Sequence, residues 1–415
     1  MDRAPARPTS HWPLILAAAA MMVVTMGGRQ SLGLFVSPLN TSSGLGITTI
    51  SFAMAVAQFV WGAAQPIAGA IADRYGPGRV LAAGTVVMAA GAALTPLLFT
   101  TGTGLVFSIG LLIAAGSGAG SFSVLIGAAA QRLPASRRGI AAGIINAGGS
   151  FGQFVFAPLL QKLIAVFGWV GAMYSLALIT LAALPLSGIL RGRPEHAEQA
   201  AAHARAEHPG REDRGMRHAL REAAGDRSYL LLHAGFFTCG FHIAFLVTHL
   251  PGEVALCGLP AEVASWSLAI IGLANIAGSL AAGWAVQRYR GKYVLFWMYA
   301  SRAVLVAAYL MAPRTASNFY LFAAGLGFTW LATVPPTAGV VGKLFGTRYL
   351  ATLFGLTLLT HQVGGFLGAW LGGLAISSSG DYLWMWYADM ALASAAAMCN
   401  LPIREPHPAV AGAAA

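Results

Sequence analysis

The chain has 415 residues, of which 57% are hydrophobic and 9% charged, and its mean hydropathy is +0.68. A soluble domain carries about 25% charged residues, so this composition excludes a water-soluble globular protein and points to a bilayer. The net charge of +11 would suit nucleic acid only if the cations clustered on one soluble face, and they are scattered between apolar runs instead.

Runs long enough to cross about 30 Å of hydrocarbon are predicted at 13–36, 48–71, 79–99, 104–130, 139–164 and 169–190. The first is too long for the core of a signal peptide and has no small-x-small cleavage site, so it is read as a retained span. Residues 191–227 are polar, rich in Ala, Arg, Glu and His, and form a linker. Six more spans follow at 228–250, 262–286, 292–312, 317–343, 349–376 and 382–402. The fold class expected is therefore an all-α membrane protein of twelve transmembrane helices, in two six-helix bundles at 1–190 and 228–404. Residues 405–415 form a tail. With the N-terminus inside, 21 of the 25 Lys and Arg residues fall on the cytoplasmic side, a positive-inside bias that accounts for the basic balance. The expectation is a multi-pass protein with both termini cytoplasmic, a lipid bilayer around it and no nucleic-acid partner.

The two halves repeat each other. Thr25-Met26-Gly27-Gly28-Arg29, nine residues before Pro38, returns as Thr238-Cys239-Gly240-Phe241-His242, nine residues before Pro251. Gly143 to Gly152 likewise matches Gly355 to Gly364 at about the same offset. Parallel six-helix repeats are a signature of secondary transporters. The 51 glycines fit close helix packing in lipid. Cys239, Cys257 and Cys399 have no paired spacing and read as small packing residues.

An ionisable group within a span is expensive and is a functional candidate by default. Arg29 lies roughly 24 Å into the first span at 1.5 Å per residue; its planar guanidinium suits a carboxylate held bidentately, or it snorkels to the interface. His242, at the matching place, could carry a proton near neutral pH or stand neutral against a neighbour. His249 and His233, near the ends of the same span, are placed at the interfaces. Asn146, Ser150 and Gln153 share one helical face, either binding substrate or joining helices. Phe122 and Trp330 shape an apolar wall or pack the core. No His, Cys and carboxylate set has metal-ligand spacing, and no nucleophile-and-base set or phosphate loop is found. No metal, no cofactor and no enzyme activity are expected.

At Gly69-Ala70-Ile71-Ala72-Asp73-Arg74-Tyr75-Gly76-Pro77-Gly78-Arg79 the chain resembles the loop between the second and third helices of the major facilitator superfamily. The length, the helix count and the central linker agree. Within that superfamily, three segments resemble the bacterial relatives of monocarboxylate transporters and oxalate/formate exchangers: Gly28 to Phe35, Arg138 to Gly148, and His361-Gln362 to Gly372. The resemblance implies that Gly69, Asp73, Arg74, Gly76 and Arg79 brace a cytoplasmic gate, and that His361 and Gln362 line the central cavity. It also makes the ninth and twelfth helices neighbours, so that Arg302 and Asp389 would form a structural ion pair. Two positions depart from the pattern: Ser279, where such anion transporters often carry an Arg, and Gln287, where the second loop would have an acid.

The function expected is alternating-access transport of a small organic monocarboxylate, lactate- or pyruvate-like, with a proton, by a monomer in a bacterial inner membrane. Arg29 would neutralise the carboxylate and His242 or His361 would carry the proton. The alternatives are exchange of organic anions, export of a hydrophobic acid, or a non-transporting receptor acting through the linker.

Overall fold

A computed structural model describes residues 12–130, 132–133, 135–191, 216–345 and 350–405. Among them it is helical throughout, with twelve spans. The first four are α1 (Trp12–Gln30, continued by a 3-10 turn and Val36–Ser43), α2 (Ile47–Tyr75), α3 (Pro77–Leu98) and α4 (Gly102–Leu105 through Ala114–Ala119, then Phe122–Ala130). The stretch Ala135–Ala182 bends at Gly168, φ 69°, into α5 before it and α6 after it. The second half comprises α7 (Arg227–Leu256), α8 (Ala261–Arg288), α9 (Gly291–Met311), α10 (Ala316–Thr329 and Val334–Phe345), α11 (Leu350–Ser379) and α12 (Leu383–Asn400). A short amphipathic helix, Met216–Gly225, precedes α7. Every second connection, together with the linker, lies at one end of the bundle, called here the linker end.

The repeat reaches the backbone. Gly168 turns α5 into α6, and Gly380, φ 76°, turns α11 into α12 at the equivalent place; both corners need a left-handed residue that only glycine adopts cheaply. Side chains also cap the spans: Asp226 accepts from the Tyr229 amide at 2.9 Å to start α7, and Thr101 accepts from the Gly104 amide at 3.1 Å to start α4.

Between lipid-embedded helices there is little hydrophobic drive, and small residues decide which helices meet. A Cβ on Gly27 would stand 2.7 Å from the backbone of Gly152, fixing α1 on α5. A Cβ on Gly240 would overlap the His361 carbonyl, and one on Gly364 the Phe237 carbonyl, fixing α7 on α11 in the same way. The repeated Thr-x-Gly segment is thus, in its glycine, a packing device used twice.

The halves touch along α2 and α11 from the far end to the middle of these helices. Thr48 Oγ1 donates to the Gly373 carbonyl at 3.2 Å and lies 2.5 Å from Ser377 Oγ. Phe52 packs edge-on against Phe366 and Trp370. A Cβ on Gly62 would run into the side chain of Gln362. Toward the linker end the pattern reverses: added Cβ atoms on Gly69, Gly143, Gly283 and Gly355 would meet nothing within 4 Å.

Candidate functional site

Arg29 ends the regular turns of α1, just before the 3-10 segment Leu32–Phe35. Its Nη2 donates to Gln58 Oε1 of α2, and its guanidinium carbon lies 4.0 Å from the centroid of the Trp61 ring. The residue is half-buried. Among the described residues no carboxylate lies within salt-bridge distance of it; the ion pairs present are His242–Asp389 and Lys343–Glu405. A guanidinium offers five N–H donors, and one glutamine and one aromatic face leave several of them to spare.

The surroundings of Arg29 include the other half of the molecule. Gln362 of α11 lies against Gly62, one residue beyond Trp61, and a Cβ on Gly365 would stand 3.5 Å from Gln58 Cβ. Gln362 Nε2 lies 2.9 Å from His361 Nδ1; His361 Nε2 and Gln362 Oε1 are buried without a hydrogen-bond partner. Arg29 thus rests on Gln58 and Trp61 of α2, and Gln362 of α11, bonded to His361, packs against the same helix at Gly62; the His361 ring itself stands 4.8 Å from that of Phe236 of α7. Gln58 and Trp61 had not been singled out in the sequence. Their signal is there: Gln58, Trp61 and Gln65 fall at i, i+3 and i+7, a polar stripe in a span that could face only protein or water.

The α5 stripe faces α8. Ser150 Oγ accepts from Asn275 Nδ2 at 2.8 Å, and Asn275 Oδ1 accepts from the Leu331 amide at 2.9 Å. Asn275 thus ties α5 of one half to the break in α10 of the other. Gln153 is buried with its Nε2 unpartnered, and Asn146 Oδ1 is likewise unpartnered. Ser279 Oγ, on the same helix as Asn275, is buried without a partner.

His242 takes a different place from its sequence counterpart. Its Nδ1 lies 2.5 Å from Asp389 Oδ2 of α12, and the two side chains are 1% and 0% exposed. The Trp330 ring stands edge-on at 5.9 Å. None of these groups contacts Arg29. The repeat aligns the two residues along their helices, but α7 turns His242 toward α12 inside the second half.

The expected ion pair between Arg302 and Asp389 does not form. Arg302 donates through Nη2 to the Thr329 carbonyl and, at 2.6 Å, to the Trp330 carbonyl; through Nε to Thr329 Oγ1 at 3.3 Å; and through Nη1 to Cys239 Sγ at 3.3 Å. The reason is the break in α10. Trp330 leaves helical geometry at ψ −89°, which frees carbonyls at a helix end, and the nearest cation satisfies them. Asp389 is left to His242. Trp330 is fully buried within this cluster, and Phe122 starts the second part of α4, partly buried against the core.

His249 is 1% exposed; its Nε2 donates to the Ala369 carbonyl at 2.7 Å. His233 is half-buried, with Nδ1 2.6 Å from Thr360 Oγ1. Glu253, near the end of α7, is a second buried acid that the sequence reading passed over, and it accepts from Tyr309 Oη at 2.7 Å. In the loop after α2, Gly76 turns the chain at φ 90° and Arg79 is exposed; the side chains of Asp73 and Arg74 lie outside the described residues, as do linker residues 192–215 and tail residues 406–415. Among the described residues no group of three or more His, Cys, Asp or Glu side chains is placed to hold a metal ion.

The model of the Major Facilitator Superfamily matches residues 18–369. The chain belongs to that superfamily. Among curated proteins, this major facilitator chain is 27% identical to monocarboxylate transporter 13 of Rattus norvegicus over 379 residues, covering 89% of the chain and 83% of the relative. It is 24% identical to the oxalate:formate antiporter of Oxalobacter formigenes, covering 89% and 86%. An uncharacterized MFS-type transporter of Bacillus subtilis, YcxA, is 23% identical over 392 residues, covering 91% of each. Among solved structures, the crystal structure of the D-xylose-proton symporter superposes with a TM-score of 0.75 at 15% identity, covering 94% of this chain and 97% of the other. The inward open form of the xylose transporter XylE from E. coli superposes at 0.72, also at 15% identity, with coverage of 95% and 96%. These likenesses confirm the all-α, two-bundle fold read from the repeat. The protein is a multi-pass membrane protein of a transporter family.

Proposed function

We propose that this protein carries a small organic monocarboxylate, lactate- or pyruvate-like, together with a proton, by alternating access between the halves 1–190 and 228–404. One observation carries the reading. Arg29 is a half-buried guanidinium at mid-membrane with no carboxylate beside it among the described residues, and it stands where α2 meets α11 of the other half. A substrate carboxylate there would satisfy the charge that the protein leaves unpaired, with bidentate geometry open to it.

His361 is the better candidate of the two histidines for the coupled proton. It is bonded to Gln362, which packs against α2 one residue beyond Trp61, whereas His242 is paired with buried Asp389. The contacts of Thr48 with Ser377 and Gly373 close the far end, and the open glycine faces lie toward the linker end. We read this as the inward-facing state of a monomer in a bacterial inner membrane, with the linker 191–227 and the tail 405–415 cytoplasmic. Asp73, Arg74 and Arg79 would then brace the gate of the opposite state.

A second reading, exchange of organic anions without a proton, is favoured by the turning of His242 away from Arg29. Uptake of labelled L-lactate into proteoliposomes separates the two. Uptake driven by an inward proton gradient and lost in Arg29→Gln, with the variant still folded, supports proton-coupled transport. Uptake indifferent to pH and dependent on internal anion supports exchange. No uptake in any condition, with the protein inserted, sinks lactate as the substrate.

A further inference from the structure

The outer surface of the second half carries a built groove that the transport reading does not use. It runs between α8 and α9 with α10 beneath, and has a volume of about 890 Å³. Its floor is made of small residues, Ala281, Ala282 and Ala285 of α8, and its mouth at the linker end carries Arg288, Tyr289 and Arg290. From the mouth the groove follows α9 inward past Tyr293 and Trp297 to Ser301. Eleven residues of helix cover about 16 Å at 1.5 Å per residue, which matches one leaflet of a hydrocarbon core about 30 Å thick.

The charge at the mouth is unusual for this chain. The loop repeats the Gly69 to Arg79 segment of the first half, but Gln287 stands in the place of Asp73, and no Asp or Glu occurs between Glu262 and Asp381. The acid that does reach this end, Glu405, is already engaged: it accepts from the amides of Gly291 and Lys292 and pairs with Lys343 at 2.7 Å. Lys292 is engaged too, donating to the Leu401 and Ile403 carbonyls. Among the described residues no carboxylate lies within salt-bridge distance of Arg288, whose guanidinium is held 4.6 Å from the Trp284 ring centroid. Trp284, Tyr289, Tyr293 and Trp297 are all exposed, Trp297 to 69%, the amphipathic rings expected at a membrane interface.

We propose that this groove binds one anionic phospholipid of the leaflet at the linker end, its phosphate between Arg288 and Arg290 and one acyl chain along Ala281, Ala282 and Ala285. The length suits an acyl chain, the mouth is cationic, and the floor lacks the side chains that would fill it. A soluble anion would have no use for the apolar length. A zwitterionic lipid carries the same phosphate but brings its own ammonium beside the arginines, which offsets the attraction that a net anionic headgroup keeps.

The test is native mass spectrometry of the full-length protein in detergent, titrated with phosphatidylglycerol or phosphatidylcholine of identical chains. One phosphatidylglycerol is expected to bind about 30-fold more tightly than phosphatidylcholine, the combined effect of two arginines near the surface. Arg288→Gln with Arg290→Gln should bring that ratio close to one, and Ala285→Trp should weaken both lipids. Arg221→Gln, on the short helix before α7, should change neither. Equal affinity of the wild type for the two lipids, or a preference that survives loss of both arginines, overturns the proposal. So does a dimer that forms on this face in place of lipid. The wild-type comparison stands even if a variant fails to fold.

Discussion

His242 Nδ1 and Asp389 Oδ2 lie 2.5 Å apart, 147 residues apart in the chain and both fully buried, while the remaining atoms of the pair, His242 Nε2 and Asp389 Oδ1, have no partner. A buried pair of this kind is costly to break from one side, because the survivor stays buried without compensation. The Trp330 ring stands edge-on to His242 at 5.9 Å, and one turn along α7 and α12 Phe245 packs edge-on against Trp386 at 5.0 Å.

We expect Asp389→Ala and His242→Ala each to destabilise the protein by about 3 to 5 kcal/mol, and the double variant to fall short of the sum by at least about 1 kcal/mol. Arg302→Met with Asp389→Ala should be closer to additive, since the two share no hydrogen bond. Unfolding midpoints in one detergent give both cycles. Coupling between Arg302 and Asp389 as large as that between His242 and Asp389 would contradict the arrangement found.

Arg29→Lys keeps the charge but loses the planar fork and the stacking on Trp61. A cation over an indole is worth about 0.5 to 2 kcal/mol, so Arg29→Lys and Trp61→Leu should each raise the KM for the carboxylate roughly tenfold. Arg29→Lys should leave the unfolding midpoint near that of the wild type, whereas Trp61→Leu, which vacates part of a buried position, should lower it. Uptake kinetics at fixed pH decide this, and an unchanged KM in Trp61→Leu would remove that ring from the site.

The glycine contacts predict a sharp contrast. Gly240→Val and Gly364→Leu place atoms into opposing backbone and should abolish accumulation of folded protein. Gly69→Ala and Gly283→Ala, whose Cβ atoms meet nothing within 4 Å, should be tolerated with a change within about 0.5 kcal/mol. Fluorescence-detected size exclusion of the four variants reads this directly.

Thr48 and Ser377 close the far end across the two halves. In a background free of Cys239, Cys257 and Cys399, Thr48→Cys with Ser377→Cys should react with a short thiol crosslinker. Transport should then stop and return when a cleavable linker is reduced. Efficient transport by the crosslinked protein would show that this contact does not open during the cycle.

Much of the architecture can be read in the linear chain. The spans follow from apolar length, the halving from the recurrence of Thr25 to Arg29 at Thr238 to His242, and the polar stripe Asn146, Ser150 and Gln153 from the 3.6-residue period. Arg29 stands out because a cation within a span has few reasons to be there. Gln58 and Trp61 were legible in principle, as neighbours on one face of α2, but a glutamine draws less notice than an arginine. Glu253 escaped because the apolar run was closed at residue 250, whereas α7 continues through Pro251, which gives up one backbone bond, to Leu256.

Span positions, the internal repeat and the superfamily are properties of the chain alone, since hydrophobic length and helical period are set residue by residue. Partnerships are not. The period fixes which residues share a face of one helix, but rotation of that face toward one neighbour or another is set by where glycines let backbones approach and where a helix breaks. Gly240 against His361 seats α7 on α11, and α12 packs on the face of α7 that carries His242. The break at Trp330 frees the carbonyls that take Arg302, and Asp389 pairs with histidine because the cation predicted for it has been claimed by backbone.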